Sequence, residues 1–226
     1  MNGAFARSAA LLGEAAMARL AAAHVAVIGV GGVGGWCAEA LVRTGVGHLT
    51  LVDDDCVVES NLNRQCPATA ATLGRPKVEA MAQRLLAINP GAEIEPIAAR
   101  YPLAAPRDLD FSRFAAVVDA IDSVDCKAEL LLAATESGTP VVSSMGAALR
   151  MDPTRLKVTR FEKVCGDGLA RALRQRFRRL GRFPGRFTAV WSDEPPLAAA
   201  ERGSLMTVTA AFGMALASEV IRLVRE

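Results

Sequence analysis

The sequence has few of the residues that cross-link small secreted proteins or hold structural metals. It contains five cysteines, none of them in a C-x-x-C pair, and only two histidines. Cysteines this sparse argue against a disulfide scaffold and against a structural zinc site. They favour a reducing, cytoplasmic compartment. His24 and His48 each begin an apolar run, and we expect both to be structural or exposed rather than catalytic.

Long uncharged segments are also absent. The longest, residues 203–218, is too short and too rich in serine, threonine and glycine to span a bilayer. The N-terminal stretch carries Arg7, Glu14 and Arg19, which makes it a poor secretion signal. A net charge of +2 is too small to predict that the protein surface as a whole binds nucleic acid. With 51% hydrophobic and 22% charged residues, the chain is expected to be a soluble globular protein with no membrane association.

Apolar runs alternate with helical patterns through the first two thirds of the chain. The runs HVAVIG, HLTLVD, AEIEPIAA, FAAVVDAID and TPVVSSMG predict strands. Helices are predicted over residues 9–20, 33–43, 75–88 (with Pro76 in the first turn) and 127–137. This alternation predicts an α/β, Rossmann-like, doubly wound and mostly parallel sheet.

The pattern changes after Gly146. The runs TRLKVTRF and RFTAVW predict two strands on either side of a helix over residues 168–179, and a helix over 204–225 ends the chain. We therefore predict one domain, residues 1–226. Residues 1–146 form its Rossmann-like part, and residues 147–226 form an elaborated C-terminal third.

A glycine-rich turn follows the first predicted strand. Gly29, Gly31 and Gly34 satisfy G-x-G-x-x-G, in which glycine permits a tight turn, backbone approach to phosphate and helix–strand packing. The helix that follows offers free N–H groups to an anion. Asp53 ends the next strand, where a carboxylate can accept hydrogen bonds from ribose hydroxyls. The pattern predicts nucleotide binding, and so far it fits NAD as well as ATP.

The residues that follow favour ATP. Arg64 and Lys77 come soon after the ribose-binding acid, and two cations there suit a triphosphate. Asp122 follows the fourth strand, where a carboxylate can help to hold Mg²⁺. Each has an alternative reading, since Arg64 and Lys77 fit solvated helix-face charges and Asp122 fits a helix N-cap. A NAD-linked oxidoreductase therefore stays as a competing hypothesis.

The order GxGGxG, VDxD, NLNRQ, G-x-P-K and DAIDS resembles the ubiquitin-activating-enzyme-like superfamily, whose members adenylate carboxylates with ATP and Mg²⁺. The resemblance implies a single ThiF-type domain, with residues 1–146 as its ATP-binding part and residues 147–226 as the part that faces the substrate. It implies catalytic roles for Arg64, Lys77 and Asp122, the last also as metal ligand. The residues implied to bind ATP are Gly29, Gly31, Gly32, Gly34, Asp53, Asp55, Asn61, Asn63, Arg64, Gln65, Lys77 and Asp122.

Within that superfamily, the segments VVSSMGAALRMDPTRLKV, GDGLARALRQRFRRLG and VWSDEPP resemble the tRNA threonylcarbamoyladenosine dehydratases. The resemblance implies an ATP-dependent enzyme that adenylates the threonyl carboxylate of the modified nucleoside, which then cyclises with loss of water. It also implies a tRNA substrate and a homodimer. Two alternatives stay open: adenylation of a ubiquitin-like sulfur carrier, with a carrier or cysteine-desulfurase-type partner, or a catalytically impaired nucleotide- or tRNA-binding homologue.

A basic run supports an RNA substrate. Residues 171–186 contain seven arginines and no acid, with Phe177 and Phe183 interleaved and Phe187 following. Arginines can neutralise phosphates and exposed aromatic faces can stack on unpaired bases. The alternative is a solvated helix face with its phenylalanines packed inward, which we favour for Phe177. The arginines assigned to nucleic acid are Arg171, Arg174, Arg178, Arg179, Arg182 and Arg186.

The sequence also departs from the family that it resembles. Ala4 and Ala10 stand where the family has arginines, and only Arg7 is close to either position. In the superfamily such an arginine can reach the ATP of the other subunit, so either Arg7 substitutes or activity is impaired. Residues 146–150 replace a more glycine-rich turn, which raises the same question for the substrate loop. No catalytic role is expected for Cys37, Cys56, Cys126 or Cys165, because the carbamoyl group can close the ring itself.

Overall fold

Seven strands and seven α-helices lie within the residues that the computed structural model describes, which are 3–103, 109–198, 201 and 203–226. The strands are β1 (His24–Ile28), β2 (His48–Val52), β3 (Glu93–Ile97), β4 (Ala116–Asp119), β5 (Val141–Ser144), β6 (Leu156–Arg160) and β7 (Thr188–Ser192). The helices are α1 (Ala6–Leu12), α2 (Glu14–Ala22), α3 (Gly34–Thr44), α4 (Lys77–Ile88), α5 (Val124–Glu136), α6 (Gly168–Leu180) and α7 (Met206–Arg225).

All seven strands belong to one sheet, in the order β3-β2-β1-β4-β5-β7-β6. Each pair of neighbours is parallel except β6 and β7, which are antiparallel. The prediction of a Rossmann-like, doubly wound, mostly parallel sheet is therefore confirmed. The strand order reverses between β1 and β4, and such a switch point opens a crevice at the carboxyl ends of the strands.

Three helix predictions need correction. The single helix predicted over residues 9–20 is wrong, because Gly13 adopts a left-handed φ of 81° and separates α1 from α2. Pro76 does not lie in the first turn of α4 but precedes it, with an extended ψ of 132°. The helix predicted from residue 127 begins earlier, at Val124, with Ser123 as the residue that precedes it.

The C-terminal helix α7 forms part of the core. Among the described helices it is the one whose length and composition would allow it to cross a membrane. Its buried face, which includes Val208, Phe212, Leu216 and Val220, packs in the same apolar cluster as α3 and the sheet. This burial is typical of a core helix in a folded domain.

The last third of the chain completes the sheet. β7 pairs with β5 on one side and with β6 on the other, so strands from both sides of Gly146 share one hydrogen-bonded array. The partition into residues 1–146 and 147–226 stays a prediction.

Candidate functional site

A cleft of about 730 Å³ opens at the carboxyl ends of β1, β2 and β4, at the switch point of the sheet. The glycine turn after β1, the loops after β2 and β4, and the start of α6 all line it. The predicted nucleotide residues that line the cleft are Gly29, Gly31, Gly32, Asp53, Asp55, Asn61, Arg64, Gln65, Lys77 and Asp122. Gly34 is buried as the first residue of α3 and does not line the cleft. Asn63 does not line it either, but it donates to the carbonyl of Ser204, which does.

The glycine turn packs too closely for side chains. Gly29 has a φ of 91°, and a Cβ there would lie 2.7 Å from the carbonyl oxygen of Ala120. Gly34 lies directly against the backbone of Gly29, so a Cβ at Gly34 would overlap it. Both glycines therefore allow the turn between β1 and α3 to stay flush with the loop after β4, which keeps the backbone of the turn accessible to a ligand.

Asp53 is fixed at the end of β2 by backbone N–H groups. Its Oδ2 accepts from the N–H of Val30 at 2.7 Å, and its Oδ1 accepts from the N–H of Asp55 at 2.9 Å. Burial raises the pKa of Asp53, while Lys77 and these two N–H groups oppose that rise. Asp53 thus joins the glycine turn to the second strand, with its carboxylate at the edge of the cleft.

Lys77 is the first residue of α4, and it is 5% exposed. Its Nζ lies 2.5 Å from a carboxylate oxygen of Asp55 and 3.9 Å from one of Asp53. A lysine this buried between two acids is not a solvated helix-face charge, so that alternative is wrong. The arrangement places one ammonium group beside the carboxylate that ends β2.

Four polar residues of the NLNRQ segment take different positions. Asn61 accepts from the N–H of Val58, and Asn63 donates to the carbonyl of Ser204. Arg64 is half-buried and donates to the carbonyl of Ser60, and its aliphatic stem lies beside Gly32. Gln65 is buried, and its Oε1 accepts no hydrogen bond within the described part of the chain. An unsatisfied buried amide at the wall of a cleft suits a ligand that donates to it.

Asp122 lies exposed in the cleft, in the loop between β4 and α5. It forms no hydrogen bond or ion pair with any residue that the structure describes. α5 begins at Val124 and is preceded by Ser123, so the N-cap reading of Asp122 is wrong. A free carboxylate at this edge of the sheet fits a Mg²⁺ ligand, because Mg²⁺ prefers one or two carboxylates together with substrate phosphates.

A buried ion pair supports the loop that carries Asp122. Asp119 and Lys127 are each fully buried, and their charged atoms lie 2.8 Å apart. Lys127 donates to the carbonyl of Ile121, and the N–H of Ile121 donates to Asp119. Ser143 donates to the same carboxylate from β5 at 2.6 Å. Ile121, the residue directly before Asp122, is thus held through its N–H by Asp119 and through its carbonyl by Lys127.

A second buried pair links the turn after β5, which lines the cleft, to the start of α6. Arg150 and Asp167 are almost fully buried and lie 3.1 Å apart. Asp167 also accepts from the N–H of Gly146 and caps α6 by accepting from the N–H of Ala170. Arg150 donates to the carbonyls of Gly146 and Glu194. Sequence reasoning missed this pair, because no local pattern joins two residues that are so far apart along the chain.

Arg100 is a further cation at the cleft that the sequence analysis did not identify. A hydrogen bond with the Cys126 thiol, followed by the charges of Asp54 and Asp122, raises the pKa of Arg100. The position of Arg100 shortly after β3 could have predicted that it lies at the cleft, since the carboxyl ends of parallel strands meet at one edge of the sheet.

The cysteines differ in environment. Cys37 is fully buried, and burial strongly raises the pKa of its thiol. Burial and a hydrogen bond to Glu39 raise the pKa of Cys66 to about 12. Cys126 lines the cleft, whereas Cys56 and Cys165 are exposed. A buried thiol with a raised pKa is a poor nucleophile, so Cys37 and Cys66 suit packing.

The profile of the ThiF family matches residues 5–226 of the sequence. The chain belongs to the ThiF family. It is 37% identical over 193 residues to the tRNA threonylcarbamoyladenosine dehydratase of Bacillus subtilis, covering 85% of this chain and 76% of that one. It is also 39% identical over 130 residues to the molybdopterin-synthase adenylyltransferase of Salmonella typhimurium, covering 58% of this chain and 51% of that one.

Crystal structures of the Escherichia coli tRNA N6-threonylcarbamoyladenosine dehydratase in complex with AMP and with ATP have the same fold as this ThiF-family chain. The TM-score is 0.89 and the sequence identity is 35%, over 97% of this chain and 93% of that chain. The superfamily resemblance drawn from the motifs is therefore confirmed.

The ThiF-family chain carries its basic run on α6 and the turn that follows. Arg171, Arg178, Arg179, Arg182 and Arg186 are exposed. Arg174 is partly buried instead, because it donates to the carbonyls of Phe161 and Val164.

The interleaved phenylalanines also differ in exposure. Phe177 is buried, which confirms the inward packing expected for it, and Phe187 is buried as well. Phe183 is 68% exposed and offers an aromatic face to solvent. The stacking alternative is therefore wrong for Phe187, and among these three rings it stays open for Phe183.

Proposed function

We propose that this chain is an ATP-dependent dehydratase that acts on threonylcarbamoyladenosine in tRNA, in the cytoplasm. One observation carries the proposal. The cleft holds Asp53, Lys77 and Asp122 in a chain that aligns over 97% of its length with a dehydratase crystallised with ATP and with AMP. The basic surface of α6, whose first residues line the same cleft, supports a polyanionic substrate.

The chemistry explains why a dehydratase needs ATP. A carboxylate is a poor electrophile, because its leaving group would be oxide or hydroxide. Its oxygen attacks the α-phosphorus of ATP, pyrophosphate leaves, and an acyl-adenylate forms. An atom of the neighbouring carbamoyl group then attacks the acyl carbon, a proton is released and AMP leaves. The net result is loss of one water from the nucleoside, and no enzyme nucleophile is required.

The protein then contributes position and charge. The turn from Gly29 to Gly34 offers backbone N–H groups to phosphate, and Asp53 accepts from the ribose hydroxyls. Arg64 and Lys77 neutralise phosphate oxygens as pyrophosphate leaves. Asp122 would hold Mg²⁺, which neutralises phosphate charge when bound.

We further propose that the enzyme is a homodimer in which Arg7 serves the cleft of the other copy. Arg7 is exposed in α1 and does not line the cleft of its own chain. Alanine stands at positions 4 and 10, where the dehydratase family has arginines, so a cation is missing from this region. Arg7 lies between these two positions. On this proposal Arg7→Ala lowers turnover without changing the fold.

Mass spectrometry of nucleosides tests the activity. Threonylcarbamoylated tRNA is incubated with the protein and Mg²⁺, with and without ATP, and then digested. Loss of one water from the modified nucleoside, only when ATP is present, is the expected result. An unchanged nucleoside, with the protein folded and ATP bound, would refute the activity.

A second candidate is adenylation of the C-terminal carboxylate of a ubiquitin-like sulfur carrier, which would also bring a carrier or cysteine-desulfurase-type partner. It is favoured by the 39% identity to the molybdopterin-synthase adenylyltransferase over 130 residues. Release of pyrophosphate that depends on a diglycine-tailed carrier, with no change in tRNA, would support this candidate over the dehydratase.

A further inference from the structure

A second hollow, with a volume of about 390 Å³, lies at the C-terminal half of α6, away from the nucleotide cleft. We call it the aromatic pocket. It is lined by Phe161, Glu162, Arg174, Phe177, Arg178, Phe183, Pro184, Gly185 and Phe187. No residue of this set lines the nucleotide cleft. The pocket therefore needs an explanation of its own.

Its floor is made of packed aromatic rings. Phe161 and Phe187 stack with centroids 4.7 Å apart, and Phe177 meets Phe161 edge-on at 6.4 Å. The guanidinium of Arg174 lies 4.9 Å from the centre of the Phe161 ring, and it is held there by hydrogen bonds to the carbonyls of Phe161 and Val164. This floor is already closed and hydrogen-bonded, so it can support a planar guest without rearranging.

The wall of the pocket is a turn that holds Phe183 out in solvent. Phe183 is 68% exposed, the most exposed phenylalanine in the described part of the chain. The N–H of Gly185 donates to the Thr135 hydroxyl at 2.8 Å, and Arg182 pairs with Glu136 at 2.7 Å. Both bonds tie the turn to the end of α5. An aromatic ring fixed in an exposed position at the edge of a hollow is a stacking surface rather than core.

The charges around the pocket indicate what would fill it. Arg178 stands exposed at the rim, and Arg179, Arg182 and Arg186 are exposed on the same helix end and turn. Glu162 lies at the rim as well and can accept from an amino group. A flat guest with hydrogen-bonding edges and an attached phosphate matches all three features: the rings, the single acid and the arginines.

We propose that the aromatic pocket binds one unstacked nucleobase of the tRNA substrate, with Phe183 stacked on the base and Arg178 beside its phosphate. The identity of the RNA rests on the function proposed above. α6 connects the two sites, since it begins at Gly168 in the cleft and reaches the pocket at Phe177. Nine residues of helix span about 14 Å. One RNA loop can therefore place its reacting nucleoside in the cleft and another base in the pocket.

The test measures equilibrium binding of a tRNA transcript at several salt concentrations. We expect Phe183→Ala to weaken RNA binding about 5- to 100-fold, and Phe183→Trp to retain it, because any aromatic face can stack. Phe183→Ala should leave the salt dependence of binding unchanged. Arg178→Ala should reduce the slope of log K against log salt concentration by about 1, the value expected for one lost phosphate contact. Leu86→Ala is the matched control, since it removes a partly exposed apolar side chain from α4, next to the opposite edge of the sheet.

Each outcome separates this proposal from the proposed function. Unchanged RNA affinity in Phe183→Ala would overturn the pocket, even if the wild type dehydrates its nucleoside. RNA binding that depends on Phe183, in a wild-type protein that cannot dehydrate, would uphold the pocket and refute the activity. A wild type that does not bind RNA would overturn the pocket. If binding of a carrier protein requires Phe183 and binding of RNA does not, the proposal is also overturned, and the pocket is assigned to a protein partner.

Discussion

The ammonium group of Lys127 lies 2.8 Å from the carboxylate of Asp119, and neither side chain has exposed surface. Two buried charges are tolerated because each has further partners: Ser143 and the N–H of Ile121 donate to the carboxylate, and the ammonium donates to the carbonyl of Ile121. The pair therefore shapes the loop that presents Asp122 at the cleft, although neither of its members lines the cleft.

Lys127→Met should be strongly destabilising, because it leaves a carboxylate buried without its cation. We expect a loss of about 3 kcal/mol or more in the free energy of unfolding, measured by urea denaturation at pH 7. The double variant Asp119→Asn, Lys127→Met should recover part of this loss, since it removes both charges. A single variant as stable as the wild type would show that the pair does not hold the loop.

Asp122→Ala should lower dehydration by about 100-fold or more, because the site loses the carboxylate that we assign to Mg²⁺. The fold should be unchanged, since Asp122 is exposed and makes no contact within the described residues on which the fold depends. Asp125→Ala, which removes an exposed acid from the first turn of α5, is the matched control. Turnover near that of the control would count against the assignment of Asp122.

Lys77→Ala should abolish turnover. The variant loses a cation that neutralises phosphate, and it leaves the carboxylates of Asp53 and Asp55 without their cation. The Nζ of Lys77 pairs with Asp55 at 2.5 Å, so Asp53 and Asp55 would repel an incoming triphosphate. Both ATP affinity and turnover should fall, as followed by isothermal titration and by nucleoside analysis. Arg75→Ala removes a cation that pairs with Gln83 outside the cleft and should have little effect. Normal ATP affinity in Lys77→Ala would refute its assigned role.

Glu39 makes the protein sensitive to acid. Burial alone would raise its pKa, but hydrogen bonds from Arg84, Cys66 and Arg43 lower it to about 2. The unfolded chain has the ordinary value of about 4.3 and binds the proton first as pH falls. The contribution of ionised Glu39 to the free energy of unfolding is therefore complete above about pH 5 and is lost towards pH 2.

Glu39→Gln should therefore remove this part of the acid dependence. At pH 7 the variant should be less stable by about 2 kcal/mol, and the difference should shrink towards pH 2. Urea unfolding at pH 7, 5 and 3 measures both effects, with the exposed Glu129→Gln as control. Equal slopes for the variant and the wild type between pH 5 and 3 would contradict the role of Glu39.

The nucleotide half of the fold was predictable because its signals are local. The spacing from Gly29 to Gly34 specifies a strand, a turn and a helix, and Asp53 follows at the end of the next strand. The break at Gly13 was harder to predict, since the apolar spacing of residues 9–20 continues across it and only the left-handed φ divides the helix.

The remaining features depend on tertiary contacts that no sequence period encodes. Arg150 and Asp167 meet because the turn after β5 folds back onto the start of α6. Phe183 and Phe187 lie four residues apart in one segment, yet one is exposed and the other is buried. Which side faces the core is decided by the bonds of that segment to α5, and these appear only in the folded chain.

The place of β7 between β5 and β6 has a consequence for any attempt to shorten the protein. A fragment that stops after residue 146 would keep the glycine turn and the acid of β2, but it would leave β5 as an open edge. That edge is a row of unpaired backbone groups beside an uncovered apolar surface, and such edges recruit other chains. The fragment would be expected to aggregate rather than to bind nucleotide as a minimal domain.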